Sequence, residues 1–293
     1  MKIVRKFIKT KIGEQFKKTA FAQRIKKSIF LQTYYHACGD WKFPFYLIGW
    51  RIANFLTARK DVSVGGVSFS LPNTNWITHF RWFVIEIKEP EVRFYIDKYM
   101  KEDDIFFDIG ANIGIFTLYA GKKYKSLQIY CFEPEYSNLY LLKENILKNN
   151  LTQKASIYSV GISDFTGISH LHLQDLKEGA AAHTENRETI QETDEGFEVV
   201  WTEGIATATL DYLCGSLNVC PNAIKIDTDG NEAKILNGAI KTLQNPALRS
   251  LIIEMPTSLE ASRQCEDIFE KNNFYRCWSQ EGVRNEIWER KNL

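Results

Sequence analysis

The segment Asp108-Ile109-Gly110-Ala111-Asn112-Ile113-Gly114 combines an acid, an amide and two glycines between an apolar run, IFFDIG, and a helical pattern. Glycine lets the backbone turn sharply and approach a ligand closely. In an open parallel sheet, ligands bind at the carboxyl ends of the strands, where the strand order reverses. This turn is therefore the first candidate for a cofactor site.

The spacing and charge of the turn distinguish two classes of cofactor. A dinucleotide fold would need the pattern GxGxxG, whereas Asn112 stands at the second glycine position and Gly114 comes one residue too early for the third. Asp108, which we expect at the mouth of the site, would repel a pyrophosphate but attract the cationic amino-acid part of S-adenosylmethionine. The turn therefore favours a sulfonium cofactor over NAD, with a helix N-cap as the other role open to Asp108.

A second acid, Glu133, closes the next apolar run, QIYCFE. A carboxylate at this place can accept hydrogen bonds from both ribose hydroxyls of a nucleoside. Because NAD enzymes place an acid similarly, Glu133 indicates a nucleoside without choosing between the two cofactors.

The elements that must position these residues alternate regularly after Asp104. Apolar strands are separated by helical patterns over residues 112–123, 135–149, 231–243 and 258–272. This order predicts an α/β fold with a doubly wound, seven-stranded, Rossmann-like methyltransferase sheet covered on both faces. The last two strands, FYRCWSQ and RNEIWER, are joined by Glu281-Gly282 and are predicted to form an antiparallel hairpin.

The sequence predicts three parts of the chain: residues 1–30, 31–100 and 101–293. One region interrupts the regular strand–helix pattern and another precedes it. Residues 174–204 are polar and acidic, which predicts an inserted loop. Residues 31–100 are rich in aromatic side chains and are predicted to form a mainly helical extension, whose aromatics fill a core or face a ligand.

His170 and His172 alternate on ISHLHLQ, which predicts one exposed strand face or, with a third ligand, a metal pair.

The basic charge is concentrated at the start of the chain. The net charge is +1, but residues 1–30 hold ten Lys or Arg against the single acid Glu14. Apolar residues at helical spacing predict a basic amphipathic helix, which could lie on an anionic membrane or pack on the main domain. No long apolar run indicates a signal peptide or a membrane span. We therefore expect a cytoplasmic protein, in peripheral contact with the inner membrane surface if this helix lies on the membrane, and no nucleic-acid partner.

The six cysteines are scattered without a CxxC pair. This spacing predicts neither a zinc site nor a disulfide framework, and no metal is expected. Free thiols agree with a cytosolic protein.

The chain resembles the FkbM family of methyltransferases from about Glu89 to Met255. The resemblance is carried by DIGANIG, CFEPE, GISDFTG, TLDYL, KIDTDGNE and LIIEM in this order. One departure is Asp229, where family members more often carry Glu.

The resemblance implies methyl transfer from S-adenosylmethionine, usually to a hydroxyl of a sugar or natural product. By the family pattern, the cofactor is held in three parts. The methionine part would be held by Asp108, Gly110 and Asn112, the ribose by Glu133, and the adenine by the backbone around Gly161 and Ile162. Gly114, which ends the turn, is also counted among the cofactor-binding residues.

Methyl transfer from a sulfonium is an in-line displacement, so positioning of the acceptor oxygen can supply most of the catalysis. A hydroxyl acceptor still benefits from a general base. Asp227, at the end of the fourth strand, is the first candidate, followed by Asp229 and by His183 of the insert. His183 could equally be a surface histidine, and Lys225 could pair with a carboxylate or meet the substrate.

The predicted function is O-methylation of a sugar, glycan or glycolipid intermediate. The alternatives are methylation of a secondary metabolite and a non-catalytic scaffold with this fold. An NAD-dependent oxidoreductase is disfavoured by the glycine spacing. The acceptor and the oligomeric state are left open by the sequence.

Overall fold

The computed structural model describes residue 52, residues 59–180 and residues 199–291. The predicted basic helix of residues 1–30, much of the aromatic-rich extension and His183 lie outside these residues.

The described strands and helices follow the predicted alternation from residue 105 onward. The strands are β1 (Arg59–Val64), β2 (Val67–Pro72), β3 (Ile105–Ile109), β4 (Gln128–Phe132), β5 (Ala155–Tyr158), β6 (Gly161–Ile162), β7 (Gly167–Leu173), β8 (Trp201–Ala208), β9 (Ala223–Ile226), β10 (Ser250–Glu254), β11 (Phe274–Trp278) and β12 (Asn285–Arg290). The helices are α1 (Trp76–Phe83), α2 (Pro90–Tyr99), α3 (Ile115–Lys123), α4 (Tyr136–Lys148), α5 (Leu210–Leu217), α6 (Glu232–Asn237), α7 (Ile240–Gln244) and α8 (Leu259–Lys271).

The main sheet has seven strands in the order β11-β12-β10-β9-β3-β4-β5. The pairs from β10 through β9, β3 and β4 to β5 are parallel, and β12 runs antiparallel to both β10 and β11. The predicted doubly wound sheet and terminal hairpin are confirmed, although β11 itself runs in the direction of the parallel strands. From β3 the chain continues through β4 and β5 on one side of β3, and it later forms β9 and β10 on the other side. The strand order therefore reverses between β3 and β9, which is the switch point of the sheet.

The central strands are apolar because both of their faces are covered. Every residue of β9 is buried, as are four of the five residues of β3. Two buried side chains from each of these strands belong to a large core cluster that also includes α6, α8 and β10 residues, among them Phe107, Ile226, Leu236, Ile253 and Phe269. This packed core fixes the strand ends at which the candidate site lies.

Two helices begin or divide differently from the predicted pattern. Helix α3 begins at Ile115 rather than Asn112, because Gly114 lies in the left-handed region with φ 84°. A side chain at Gly114 would also place Cβ 2.4 Å from Leu142 Cδ1.

The predicted helix 231–243 is divided into α6 and α7. Asp211 caps α7 by accepting hydrogen bonds from the N–H groups of Lys241 and Thr242. Asp211 therefore has a helix-capping role.

A separate three-stranded sheet has the order β6-β8-β7. β7 and β8 are antiparallel, and the long connection between them includes the predicted insert. The expected loop 174–204 is wrong at its end, because residues 201–204 pair with β7 as part of β8. The exposed face expected for ISHLHLQ is also wrong at His172, which is buried with Nδ1 2.9 Å from Thr202 Oγ1, whereas His170 is exposed.

The described residues divide into two compact units. One contains residues 52, 59–60 and 72–86, and the other contains residues 61–71, 87–180 and 199–291. In the first, Asn75 caps α1 in a capping box with Thr78. The second contains both larger sheets and every described residue of the predicted cofactor and catalytic sites. None of the described helices has the length and apolar character needed to cross a membrane.

Candidate functional site

The predicted cofactor turn follows β3 and lies against the end of β9. Gly110 has φ 70°, and a Cβ built there would be 1.9 Å from the backbone oxygen of Asp227. The amide of Asp227 in turn donates to the carbonyl of Ile109 at 3.2 Å. Glycine is therefore required at position 110 by the close approach of two backbone segments, in addition to any approach of a ligand.

Asn112 connects this turn to its surroundings through both backbone and side chain. Its φ is 52°, a left-handed conformation that Asn tolerates better than most residues. Its backbone N–H donates to Glu133 Oε2 at 2.7 Å, and its Nδ2 donates to the carbonyl of Ala180 at 2.6 Å. The turn is thus fixed to the predicted ribose acid and to the start of the insert.

Glu133 lies just after β4 and is 6% exposed. Its Oε2 accepts the Asn112 amide and its Oε1 accepts the Glu135 amide at 3.0 Å. Burial raises the pKa of this carboxyl to about 7, although both backbone hydrogen bonds oppose the shift. Because each carboxylate oxygen has two lone pairs, both retain acceptor capacity for a vicinal diol.

Asp108 lies beneath the turn instead of at the mouth expected from the sequence. It is 1% exposed, and its Oδ2 accepts a hydrogen bond from Thr117 Oγ1 at 2.6 Å. Its Oδ1 lies 3.4 Å from Lys225 Nζ. The carboxylate is therefore already paired within the protein, and it is not a cap of helix α3.

Lys225 joins three parts of the site. Its Nζ is 3.4 Å from Asp108 Oδ1, 3.3 Å from Asp227 Oδ2 and 3.3 Å from the carbonyl of Gly110. Burial alone would lower the pKa of this lysine, but Asp227 and Asp108 raise it above its ordinary value. The Lys225 cation therefore lies between the acids at the ends of β3 and β9. Pairing with a carboxylate is one of the two roles predicted for this lysine.

Asp227 forms a close carboxyl pair with Glu254, the last residue of β10, with oxygens of the two groups within 4.8 Å of one another. Burial alone would raise the pKa of Asp227, but the Lys225 ammonium outweighs it and lowers that pKa. Burial and the neighbouring Asp227 charge raise the pKa of Glu254, despite an ion pair with Arg284. Sequence reasoning missed Glu254, although a charged residue that ends a buried strand, as in SLIIEM, is the signal that identified Asp108 and Glu133.

Asp229 belongs to the same acidic group. It has φ 53°, and oxygens of Asp227, Asp229 and Glu254 lie within 4.8 Å of one another. We assign no metal to this group, because the cationic side chains that contact it already balance much of its charge. His183, the third predicted base, lies outside the described residues.

The predicted adenine contacts lie at the edge of the same region. Gly161 and Ile162 form β6 and pair with Thr207 and Ala208 of β8. The carbonyl of Ile162 accepts a hydrogen bond from Asn231 Nδ2 at 2.7 Å, which links this segment to the loop after β9.

A recess of about 330 Å³ lies at the N-terminus of α4, near Glu133. It is lined by Glu135, Tyr136, Ser137, Leu173, Leu176, Trp201 and Glu203. Tyr136 and Trp201 are 74% and 57% exposed, so both rings are accessible. Glu135 is the N-cap of α4, and Glu203 accepts the Tyr136 amide, so both acids have structural partners.

Several solved structures are similar to this chain. A methyltransferase FkbM from Methylobacillus flagellatus is 16% identical with a TM-score of 0.45, covering 73% of this chain and 52% of that protein. A precorrin-6y C5,15-methyltransferase from Geobacter metallireducens is 11% identical with a TM-score of 0.41, covering 70% of this chain and 90% of that protein. A ribosomal protein L11 methylase from Lactobacillus delbrueckii subsp. bulgaricus is 10% identical with a TM-score of 0.39, covering 69% and 77%. The chain spans about half the length of the first of these proteins, and no curated protein matches it.

The family comparison agrees with the motifs that form the site. The model of the methyltransferase FkbM domain matches residues 108–276, from the acid of the cofactor turn to strand β11. This match covers more than half of the chain and includes the turn, Glu133, Lys225, Asp227 and Glu254. The chain therefore belongs to the FkbM methyltransferase domain family.

Proposed function

We propose that this protein transfers a methyl group from S-adenosylmethionine to a hydroxyl oxygen of a sugar, glycan or glycolipid intermediate. The observation that carries the proposal is the direct hydrogen bond between the Asn112 amide and Glu133 Oε2. It joins the glycine turn after β3 to the acid after β4, beside the strand end that carries Asp227. The turn and Glu133 are the groups needed to bind a sulfonium nucleoside, and Asp227 is a proton acceptor next to them.

The residues of the site fit this cofactor. Glu133 retains lone pairs for the two ribose hydroxyls. The turn from Gly110 through Asn112 to Gly114 would hold the methionine part, supported from beneath by Asp108. The backbone around Gly161 and Ile162 would lie at the adenine.

When bound, the cofactor supplies a methyl carbon activated by the adjacent sulfonium. The protein then needs to hold the acceptor oxygen in line with that carbon and to exclude water. Asp227, whose side chain is 31% exposed, is the first candidate to orient the hydroxyl or accept its proton. Asp229 is the next candidate, and His183 remains a third from the sequence.

Calorimetry with S-adenosylmethionine tests the cofactor. The wild-type chain should bind it, and Glu133→Ala should lose most of this affinity because the ribose hydroxyls lose their acceptor. The exposed Glu270 on α8 provides a matched control, Glu270→Ala, which should bind as the wild type does. An absence of binding by the wild-type chain would show that the proposal is wrong.

The acceptor is tested separately with cofactor that carries a labelled methyl group. Simple sugars, nucleotide sugars and lipid-linked sugars are compared with small phenolic and carboxylic metabolites. Transfer of label to a sugar hydroxyl supports the proposal. Transfer only to a secondary metabolite would keep the cofactor assignment and reject the glycan acceptor.

We further propose that residues 1–30 bring the protein to an anionic membrane surface. The support is the ten Lys or Arg and the helical spacing of apolar residues in this stretch. Deleting residues 1–30 should abolish binding to phosphatidylglycerol vesicles and leave cofactor affinity unchanged. Equal vesicle binding by both chains would reject this part of the proposal.

A further inference from the structure

The carboxyl pair of Asp227 and Glu254 arises from the register of two parallel strands. Ile226 of β9 lies opposite Ile253 of β10, so the next residue of each strand brings one acid beside the other. Oxygens of the two carboxyl groups lie within 4.8 Å of one another. At this separation two carboxylates repel each other, which favours a proton on one of them.

The charges around the pair decide which carboxyl carries that proton. On the Asp227 side, Lys225 Nζ is 3.3 Å away, and Lys88 adds a more distant positive charge. On the Glu254 side, Arg284 Nη2 lies 2.5 Å from Glu254 Oε1 and favours ionisation, while Asp227 and Asp229 oppose it.

Two further acids face this group from neighbouring elements. Glu232 of α6 interacts with Asp227, and Asp108 of β3 shares Lys225. Asp227 is therefore held as a carboxylate by its buried cation. Glu254, with acids on two sides, keeps the proton.

Both members of the pair are accessible from the site. The Glu254 side chain is 20% exposed and that of Asp227 is 31% exposed, whereas Lys225 is 3% exposed. A ligand at the ends of β9 and β10 can therefore contact the two carboxyls but not the lysine.

We propose that Glu254 is the second catalytic carboxyl of this site, which releases the proton that it holds beside Asp227 when the sulfonium cation binds and then accepts the proton of the acceptor hydroxyl. This inference rests on the proposed function, since it requires S-adenosylmethionine to place its positive charge beside Asp227. A nearby positive charge favours ionisation of a carboxyl. The cofactor itself thus produces the base that the reaction needs.

Protons and electrons balance over one turnover. Binding of the cation sends the Glu254 proton to solvent. The hydroxyl oxygen then forms its bond to the methyl carbon, the carbon–sulfur bond breaks with its electron pair going to sulfur, and the hydroxyl proton moves to Glu254. S-adenosylhomocysteine and the methyl ether leave a site whose pair is again protonated, with one proton released overall.

The proposal is tested by the number of protons released when the full chain binds cofactor. Titrations at about pH 8, where Glu133 with its pKa of about 7 is already mostly ionised, are carried out in phosphate and in Tris. The ionisation enthalpies of the two buffers differ, so the difference in observed heat gives this number. S-adenosylmethionine should release close to one proton from the wild type, and uncharged S-adenosylhomocysteine should release far less. Glu254→Gln should bind the cation without this release, and Glu270→Gln should behave as the wild type.

The wild-type chain alone provides a second measurement if Glu254→Gln does not fold. Infrared difference spectra at about pH 8, where Glu133 is already mostly ionised, should show loss of a protonated carboxylic acid C=O band on binding of S-adenosylmethionine and no such loss with S-adenosylhomocysteine. Binding of the cation without proton release and without loss of the band would overturn the role of Glu254 alone. Failure of both ligands to bind would overturn the proposed function and this inference with it.

Discussion

The ammonium of Lys225 and the carboxylate of Asp108 occupy the same register position on neighbouring strands β9 and β3 and lie 3.4 Å apart. Both side chains are almost wholly buried, and the same ammonium also contacts Asp227. The pair therefore joins the acid beneath the cofactor turn to the candidate base. The three groups act as one electrostatic unit at the centre of the sheet.

Replacement of Lys225 by Met should destabilise the fold strongly. Removing one partner leaves buried carboxylates without their cation, which costs about 3–5 kcal/mol of unfolding free energy. Urea unfolding measures this loss. The double variant Lys225→Met with Asp108→Asn should recover part of it, whereas Lys143→Met, on the exposed face of α4, should change little. Equal stability of Lys225→Met and the wild type would show that the buried pair is not stabilising.

The raised pKa of Glu133 predicts that cofactor affinity depends on pH. Ribose hydroxyls donate best to the ionised carboxylate, which becomes the main form only above its pKa of about 7. The dissociation constant for S-adenosylhomocysteine should therefore fall about tenfold between about pH 6 and pH 8. Calorimetry across this range measures the change, and Glu133→Gln should bind weakly with a much flatter dependence. A wild-type affinity that is constant over this range would contradict the prediction.

The same pKa shift predicts how Glu133 affects stability. A carboxyl whose pKa is raised by folding binds protons more tightly when folded, so its stabilising contribution is present below the ordinary value of 4.5 and is lost as pH rises through about 7. The loss is about 3 kcal/mol for this buried group. Urea unfolding at both ends of the window should show it in the wild type and not in Glu133→Gln. The same slope in both chains would assign the effect to other groups.

Gly110→Ala should disrupt the cofactor turn. A methyl group would lie 1.9 Å from the Asp227 carbonyl oxygen, and the residue would keep a left-handed φ of 70°. We expect a loss of at least about 2 kcal/mol in unfolding free energy, together with weaker cofactor binding. Gly215→Ala is the matched control, because nothing lies within 4 Å of its Cβ position on α5. The control should be neutral or slightly stabilising, and similar effects of the two substitutions would rule out the steric explanation.

Asn138→Ala should release the start of the insert from α4. Asn138 Oδ1 accepts the Gly179 amide at 2.8 Å, and its Nδ2 donates to the Ala180 carbonyl at 3.3 Å. The loss of these buried partners should cost about 1–3 kcal/mol. Hydrogen exchange should become faster at Gly179 and Ala180. The exposed Tyr140 on the same helix provides the control Tyr140→Ala, and unchanged exchange in Asn138→Ala would contradict the prediction.

The sequence by itself determined the types of the elements and the position of the cofactor turn. Apolar runs, helical spacing and glycine placement are properties of neighbouring residues, so the strand–helix alternation, the turn from Asp108 to Gly114 and the acid Glu133 were accessible without coordinates. Helix boundaries were harder to predict from the sequence, because the start of α3 at Ile115 depends on how Gly114 packs against Leu142.

The tertiary structure decided which charged groups meet. Lys225 and Asp108 are far apart in the chain, and their pairing depends on β9 lying beside β3. The pairing of Asp227 with Glu254 likewise depends on the register of β9 and β10. Sequence patterns identify buried strands but not their neighbours, so Asp108 was expected to be exposed at the mouth of the site and Glu254 was overlooked. Burial and strand order, which only the folded chain defines, determine the charge state of these acids.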